Sequence, residues 1–71
     1  IEYWRGRLPE GERKIFLLLV KAHHQIPRDE LDEQTGYKRS SRDAYLARLK
    51  ARGLVEFHHR GMVAASEELF Q

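Results

Sequence analysis

Apolar residues recur at helical spacing in the first third of the chain. Four of them fall at i, i+3, i+4 and i+7: Ile15, Leu18, Leu19 and Ala22. Pro9 followed by Glu10 and Glu12 is typical of a helix start, because proline fits the first turn and the helix dipole favours acidic residues there. The pattern therefore predicts a first helix at 9–24, with those four apolar residues facing the core.

The same predicted helix carries further apolar residues outside that stripe, namely Phe16, Leu17 and Val20. It is apolar around more than half of its circumference, so a second side must also be covered. Candidates for this cover are a second subunit, another domain of a parent chain, and apolar residues of the leading segment (1–8) and the tail (66–71): Tyr3, Trp4, Leu8 and Phe70.

Pro27 interrupts the helical pattern. It disfavours helical geometry at Ile26, which is expected to be extended. A second, short helix is predicted at 27–35, with Leu31 as its core residue and Thr35-Gly36 as its end. A turn of three or four residues then leads to the next start signal.

A third helix is predicted at 40–52. Ser40 and Asp43 form a capping-box-like pair at its start. Gly53 follows its last residue and suits the left-handed conformation that commonly ends a helix. The third helix is therefore expected to be separated from the second by only a short, glycine-containing turn.

After residue 53 the spacing of apolar residues changes. Leu54 to His58 and Met62 to Ala65 have the β-branched, aromatic and alternating character of strands, and they flank a turn at 59–61. This pattern predicts a hairpin at 54–65. The chain is therefore expected to be mainly α with a small β-hairpin, in the α+β class.

The positive charge is concentrated in the centre of the chain. The net charge is +2, yet residues 37–61 contain seven Lys/Arg against two Asp/Glu, a local excess of +5. Such asymmetry indicates a polyanionic partner, although a solvated basic face has the same composition. The seven cations fall on the turn, the third helix and the hairpin: Lys38, Arg39, Arg42, Arg48, Lys50, Arg52 and Arg60.

Length and composition disfavour several classes of protein. With 71 residues and no cysteine, the chain is expected to form one domain over 1–71 without a disulfide or a cysteine zinc site. The longest apolar run, at 15–20, is far shorter than the ~20 residues that span a bilayer. We therefore expect a cytoplasmic protein without membrane contact. The start at Ile1 rather than at Met predicts a piece of a longer protein.

The chain offers little for catalysis or metal binding. Its carboxylates are dispersed, no nucleophile, base and orienting residue are suitably spaced, and no Gly-rich phosphate loop is present. The His23-His24 and His58-His59 pairs each offer at most one convenient ligand, because adjacent side chains point in different directions. We therefore expect no enzyme activity, no cofactor and no metal. A protonated His58 or His59 would instead add positive charge to the hairpin in mildly acidic buffer.

The predicted order of elements is that of a winged helix-turn-helix: helix, extended piece, helix, short turn with Gly, helix and β-hairpin. Residues 31–41 (LDEQTGYKRSS), followed by Leu46, Leu49 and the run 52–55 (RGLV), resemble the winged helix-turn-helix superfamily typified by small bacterial transcription regulators. The likeness covers about residues 8–65. The resemblance implies a three-helix winged helix-turn-helix fold.

The resemblance also implies a function. It favours a module that binds double-stranded DNA, with the third helix in the major groove and the hairpin, or wing, beside the phosphates. Such a module would be part of a larger bacterial or phage protein with a role in transcription regulation. Members of the superfamily also serve as protein-docking modules, so docking or dimerisation without DNA binding is the alternative.

The candidate DNA-binding residues lie on the turn, the third helix and the wing: Lys38, Arg39, Ser40, Ser41, Arg42, Ala44, Arg48, His59 and Arg60. Lys38 and Arg39 could reach phosphates or guanine edges. Arg42 takes a position that is usually apolar in the superfamily. It could reach DNA, or it could pair with an acidic residue of the second helix: Asp32, Glu33 or Glu30.

The third helix is predicted to have a small, sparsely charged outer face. Its inward side would hold Arg42, Tyr45, Leu46 and Leu49, and its outward side Ser41, Ala44, Ala47, Arg48 and Ala51. Alanine methyls can contact thymine methyls in a groove, but a smooth alanine face can also pack against protein. Tyr37 and Tyr45 are interpreted as packing residues rather than base-stacking platforms.

Overall fold

Helices dominate the fold, and a small antiparallel sheet completes it. The computed structural model describes residues 2–70. The helices are α1 (Glu2–Arg5), α2 (Glu10–Ala22), α3 (Arg28–Thr35) and α4 (Arg39–Ala51). The strands are β1 (Ile26–Pro27), β2 (Val55–Phe57) and β3 (Met62–Ala65), and short 3₁₀ turns lie at His59–Gly61 and Glu67–Phe70. The expected α+β class, mainly helical with a small hairpin, is confirmed.

The ends of α3 and α4 are set by glycines in the left-handed conformation, as the sequence predicts. Gly36 has a φ of 77° and Gly53 a φ of 76°. After α4, the Gly53 N–H donates to the Lys50 carbonyl (2.9 Å) and the Leu54 N–H to the Leu49 carbonyl (3.0 Å). This pair of bonds is a Schellman motif, and it turns the chain directly into β2.

The sheet joins the short segment between α2 and α3 to the hairpin that follows α4. Its strand order is β1-β3-β2, with both pairings antiparallel. Ile26 pairs with Val63 on one side of β3, and Phe57 pairs with Val63 on the other. The extended conformation at Ile26 is confirmed, whereas its pairing with the hairpin was not predicted. The pairing brings the start of α3 next to the wing.

The buried face of α2 is rotated from the predicted stripe. Its fully buried residues are Glu12, Ile15, Phe16 and Leu19, whereas Leu18 and Ala22 are half-buried. Phe16, which the sequence places outside that stripe on a second side that must be covered, is fully buried in the core. The leading segment supplies part of the expected cover, because Leu8 is buried and Trp4 packs against the core. Tyr3 is exposed, and the side chain of Phe70 lies outside the described part of the chain.

Candidate nucleic-acid interface

The turn between α3 and α4 is held by the hydroxyl of Thr35. Its Oγ1 donates to the Leu31 carbonyl (2.7 Å) and accepts from the backbone N–H of Tyr37 (3.2 Å). Only Gly36, Tyr37 and Lys38 separate the two helices, which confirms the predicted short turn. Lys38 and Arg39 are consequently exposed at the start of α4.

The start of α4 differs in detail from the sequence prediction. Lys38 occupies the N-cap position and no side chain caps the helix, so Ser40 already lies inside it. The predicted capping role of Ser40 and Asp43 is therefore wrong. The Asp43 carboxylate instead lies beside Arg42, with 3.3 Å between its Oδ1 and the Arg42 Nε.

Arg42 is part of the interior rather than of the surface. Its side chain is 2% exposed, and its Nε lies 3.1 Å from the Asp32 Oδ1 on α3. The ion pair with Asp32, one of the two alternatives drawn from the sequence, is thus confirmed. The guanidinium is buried where α3 and α4 meet. The alternative prediction, in which Arg42 reaches out to DNA, is therefore wrong for this structure.

The outer face of α4 is as small as the sequence predicts. Its exposed residues include Ser40, Ala44, Ala47 and Ala51, and Ser41 is half-buried. Leu46 and Leu49 are buried on the opposite side. Tyr45 packs edge to face on Tyr37, with ring centroids 5.4 Å apart, as expected for packing residues.

A basic cleft lies between the starts of α3 and α4 and the wing turn. Its volume is about 180 Å³. It is lined by four arginines, two aspartates and two small residues: Arg28, Arg39, Arg42, Arg60, Asp29, Asp43, Pro27 and Gly61. The structure thus brings together three of the predicted site residues, Arg39, Arg42 and Arg60, from two separate elements.

Arg28 is the residue of this cleft that sequence reasoning missed. Its guanidinium carbon lies 4.6 Å from the centre of the Phe57 ring, and the Lys50 Nζ lies 4.9 Å from the same centre. The Arg28 Nε is buried and has no hydrogen-bond partner among the described residues. Arg28 precedes the basic block in the sequence, so only the pairing of β1 with β3 reveals its place in the cleft.

The wing turn presents Arg60 in an unusual backbone conformation. Arg60 has φ 62° and ψ 34°, and Gly61 follows with φ 72°. Two consecutive residues with positive φ are characteristic of the type I′ turn of a tight hairpin. The Met62 N–H donates to the His59 carbonyl across this turn. Both His59 and Arg60 are exposed at its tip.

Arg48 of α4 and Arg52, the residue that directly follows α4, lie near a buried carboxylate of α2. Glu12 is 1% exposed, with its Oε1 3.5 Å from the Arg52 Nε and its Oε2 3.9 Å from the Arg48 Nη1. The side chains of Arg48 and Arg52 are 63% and 40% exposed. Arg48 is therefore accessible on α4, as predicted, but part of its charge is balanced from within the molecule.

A second cleft, of about 500 Å³, lies at the C-terminal end of α2. It has an apolar base and a titratable rim that includes His23, His24, His58, Glu56 and Glu67. The Glu67 N–H donates to the Glu56 Oε2 (2.8 Å). Within residues 2–70, no three His, Cys, Asp or Glu side chains are grouped so that they could hold a metal ion.

The comparisons with known proteins add no family to this geometry. No family model matches the chain, and no curated protein or solved structure matches it. In the part of the chain that the structure describes, every helix is too short or too polar to cross a membrane. Only the residues of the chain and their arrangement therefore point to a function.

Proposed function

We propose that this chain is a double-stranded DNA-binding module that uses the turn, α4 and the wing. The observation that carries the proposal is the basic cleft, where Arg39 of α4 and Arg60 of the wing meet Arg28 of α3. One guanidinium group can donate hydrogen bonds to two oxygens of a phosphate at once. The cleft is lined by more arginines than aspartates. A DNA phosphate is the ligand that this arrangement suits best.

The backbone of Arg60 supports a role for its side chain. A left-handed conformation is unfavourable for a residue with a side chain such as arginine, and Asn-Gly or Gly-Gly is preferred at a type I′ turn. The backbone conformation of Arg60 therefore lowers the stability of the hairpin, and it places an exposed guanidinium at the tip. Such strain is typical of functional positions.

The outer face of α4 suits close approach to base edges. Ser40 and Ala44 are exposed there, Ser41 is half-buried, and their small side chains leave room for a groove. Alanine methyls can contact thymine methyls, and serine hydroxyls can donate to or accept from either kind of base pair. Lys38, Arg39, His59 and Arg60 would then hold the phosphates on either side.

The order of the elements supports the winged helix-turn-helix interpretation. Three helices, an extended segment between the first two of them and a final hairpin follow one another as that interpretation requires. We infer from the resemblance a cytoplasmic module of a larger bacterial or phage protein that acts in transcription regulation. No catalytic role and no cofactor are assigned to it.

A salt titration of duplex binding tests this proposal. Four cations at the cleft and turn have no carboxylate as close as those beside Arg42 and Arg52 among the described ion pairs: Arg28, Lys38, Arg39 and Arg60. Full engagement of four phosphates predicts a slope of about −3.6 for the logarithm of affinity against the logarithm of salt concentration.

Single substitutions locate the binding surface. Arg39→Gln and Arg60→Gln are each expected to make that slope shallower by about 0.9. Lys21→Gln removes an exposed cation of α2 outside the cleft and should leave the slope unchanged. If the chain does not bind duplex DNA even at low salt, the proposed function is wrong.

Protein docking is the second candidate, and one observation favours it. Ala44, Ala47 and Ala51 form a smooth, exposed face on α4. Such a face can pack closely against another helix or against a second subunit. DNA binding favours a positive charge on this face, whereas docking tolerates neither a positive nor a negative one, so substitutions at Ala47 separate the two candidates.

A further inference from the structure

Glu12 lies at a position where a carboxylate is hard to explain by packing alone. It occupies the buried face of α2 beside Ile15 and Phe16, and it is 1% exposed. A buried carboxylate is strongly unfavourable unless cations or hydrogen-bond donors compensate its charge. Arg48 of α4 and Arg52 at its C-terminal end lie within 4 Å of its oxygens.

The contacts of Glu12 with Arg48 and Arg52 are ion pairs at long distance rather than short hydrogen bonds. The Glu12 oxygens lie 3.5 Å and 3.9 Å from the two guanidinium groups, beyond the usual length of a charged hydrogen bond. The Glu12 Oε1 has no hydrogen-bond partner among the described residues. The Arg52 guanidinium carbon also lies 5.9 Å from the centre of the Trp4 ring, within the range of a cation–π contact.

Both arginines are accessible enough to leave the carboxylate. If either one turned outward to a phosphate, however, Glu12 would stay buried with less compensation for its charge. The cost of that loss opposes phosphate binding. Glu12 therefore acts on Arg48 and Arg52 as an internal competitor of DNA.

We propose that Glu12 is a positioning residue that restrains Arg48 and Arg52 and thereby confines phosphate binding to the N-terminal end of α4 and the wing. The inference rests on the proposed DNA binding. It predicts that a helix with cations along its length contacts phosphate through its N-terminal end only. It also predicts which of the basic residues contribute to the salt dependence.

Glu12→Gln tests the restraint, because it removes the charge and keeps the shape of the side chain. With Arg48 and Arg52 released, the salt slope of duplex binding should become steeper by about 0.9 to 1.8, and affinity at low salt should rise roughly tenfold. Glu10→Gln is the matched control. It removes an exposed acid of the same helix and should leave the slope unchanged.

A triple variant keeps the test decisive if the single variant does not fold. Glu12→Gln combined with Arg48→Gln and Arg52→Gln leaves no charge at residue 12 or on the two arginines beside it and should return the slope to that of the unmodified chain. A shallower slope in the triple variant would mean that the arginines already contact phosphates, which overturns the inference. An unchanged slope in a folded Glu12→Gln variant overturns it as well.

The two proposals fail in different ways. If the unmodified chain binds duplex DNA with the expected slope but Glu12→Gln has no effect, only the restraint is wrong. If neither protein binds duplex DNA at low salt, the proposed function is wrong and the restraint falls with it. Thermal unfolding of each variant shows whether it is folded at the temperature of the binding measurement.

Discussion

Gly11 of α2 lies against the ring of Tyr45 of α4, which packs on the helix backbone there. A Cβ built on Gly11 would lie 2.5 Å from the Tyr45 Cζ, which is shorter than any normal contact. Tyr45 cannot easily move aside, because its ring is half-buried and packs on Tyr37. Glycine at this position allows α4 to approach α2 closely.

Gly11→Ala should therefore destabilise the protein. Helix propensity alone would favour alanine by about 0.5–1 kcal/mol, whereas overpacking against Tyr45 costs about 1–3 kcal/mol. We expect a net loss of about 1–2 kcal/mol in the free energy of unfolding, measured with urea. Gly6→Ala, where nothing lies within 4 Å of the added Cβ, is the control. A gain in stability for Gly11→Ala would contradict the packing.

At the scale of elements, the hairpin turn combines a structural cost with an exposed charge. Arg60 adopts φ 62° immediately before Gly61, at the position where a type I′ turn prefers asparagine. Substitution at this position can therefore change the stability of the hairpin and its binding in opposite directions. A purely structural turn would show no such opposition.

Arg60→Asn should raise stability and weaken DNA binding. Asn-Gly is the preferred type I′ pair, and relief of the left-handed arginine should add about 1 kcal/mol to the free energy of unfolding. Loss of one phosphate contact should make the salt slope shallower by about 0.9. Arg60→Lys keeps both the charge and the strain and should change neither quantity by much. Tighter duplex binding by Arg60→Asn would argue against a wing contact.

Local signals account for the elements that the sequence predicts well. The start of α3 follows Pro27, and Gly36 and Gly53 end α3 and α4, so the three main helices lie within two residues of their predicted bounds. These signals act over a few residues and need no knowledge of tertiary contacts. Helix α1 and the pairing of β1 with β3 carry no comparable local signal.

The site was less predictable because it depends on contacts between distant segments. The helical pattern placed Arg42 on the inward side of its helix, but Glu12 is a charged residue at a buried position, which general burial preferences place on the surface. For Glu12, its spacing of three residues from Ile15 was the available signal. Arg28 joins the cleft only through the sheet, so its charge was counted in a segment without positive excess.

At the scale of the whole molecule, the fold redistributes the central positive charge. Of the seven cations in residues 37–61, Arg42 is buried against Asp32, and Arg48 and Arg52 lie near Glu12. Arg28 adds a cation from outside that segment. The basic surface is therefore smaller than the sequence suggests, and it is centred on the cleft between α4 and the wing.

The charge of the α4 outer face distinguishes DNA binding from protein docking. Ala47 is exposed, so replacing it should change stability by less than about 0.5 kcal/mol. If α4 enters a groove, Ala47→Lys should tighten duplex binding and Ala47→Glu should weaken it, because phosphates surround the helix. If the alanine face docks on protein, both substitutions should abolish capture of the partner and leave DNA affinity unchanged.

Lys21→Glu is the control for this pair, because it changes net charge outside the cleft and should affect duplex binding much less than Ala47→Glu. Mass measurement over a range of concentrations covers dimerisation, since a dimer formed through the α4 face would dissociate in both Ala47 variants. Opposite effects of lysine and glutamate on duplex affinity would require the helix to face phosphate. Equal losses with both would instead mean that a long, charged side chain cannot fit against the surface that α4 contacts.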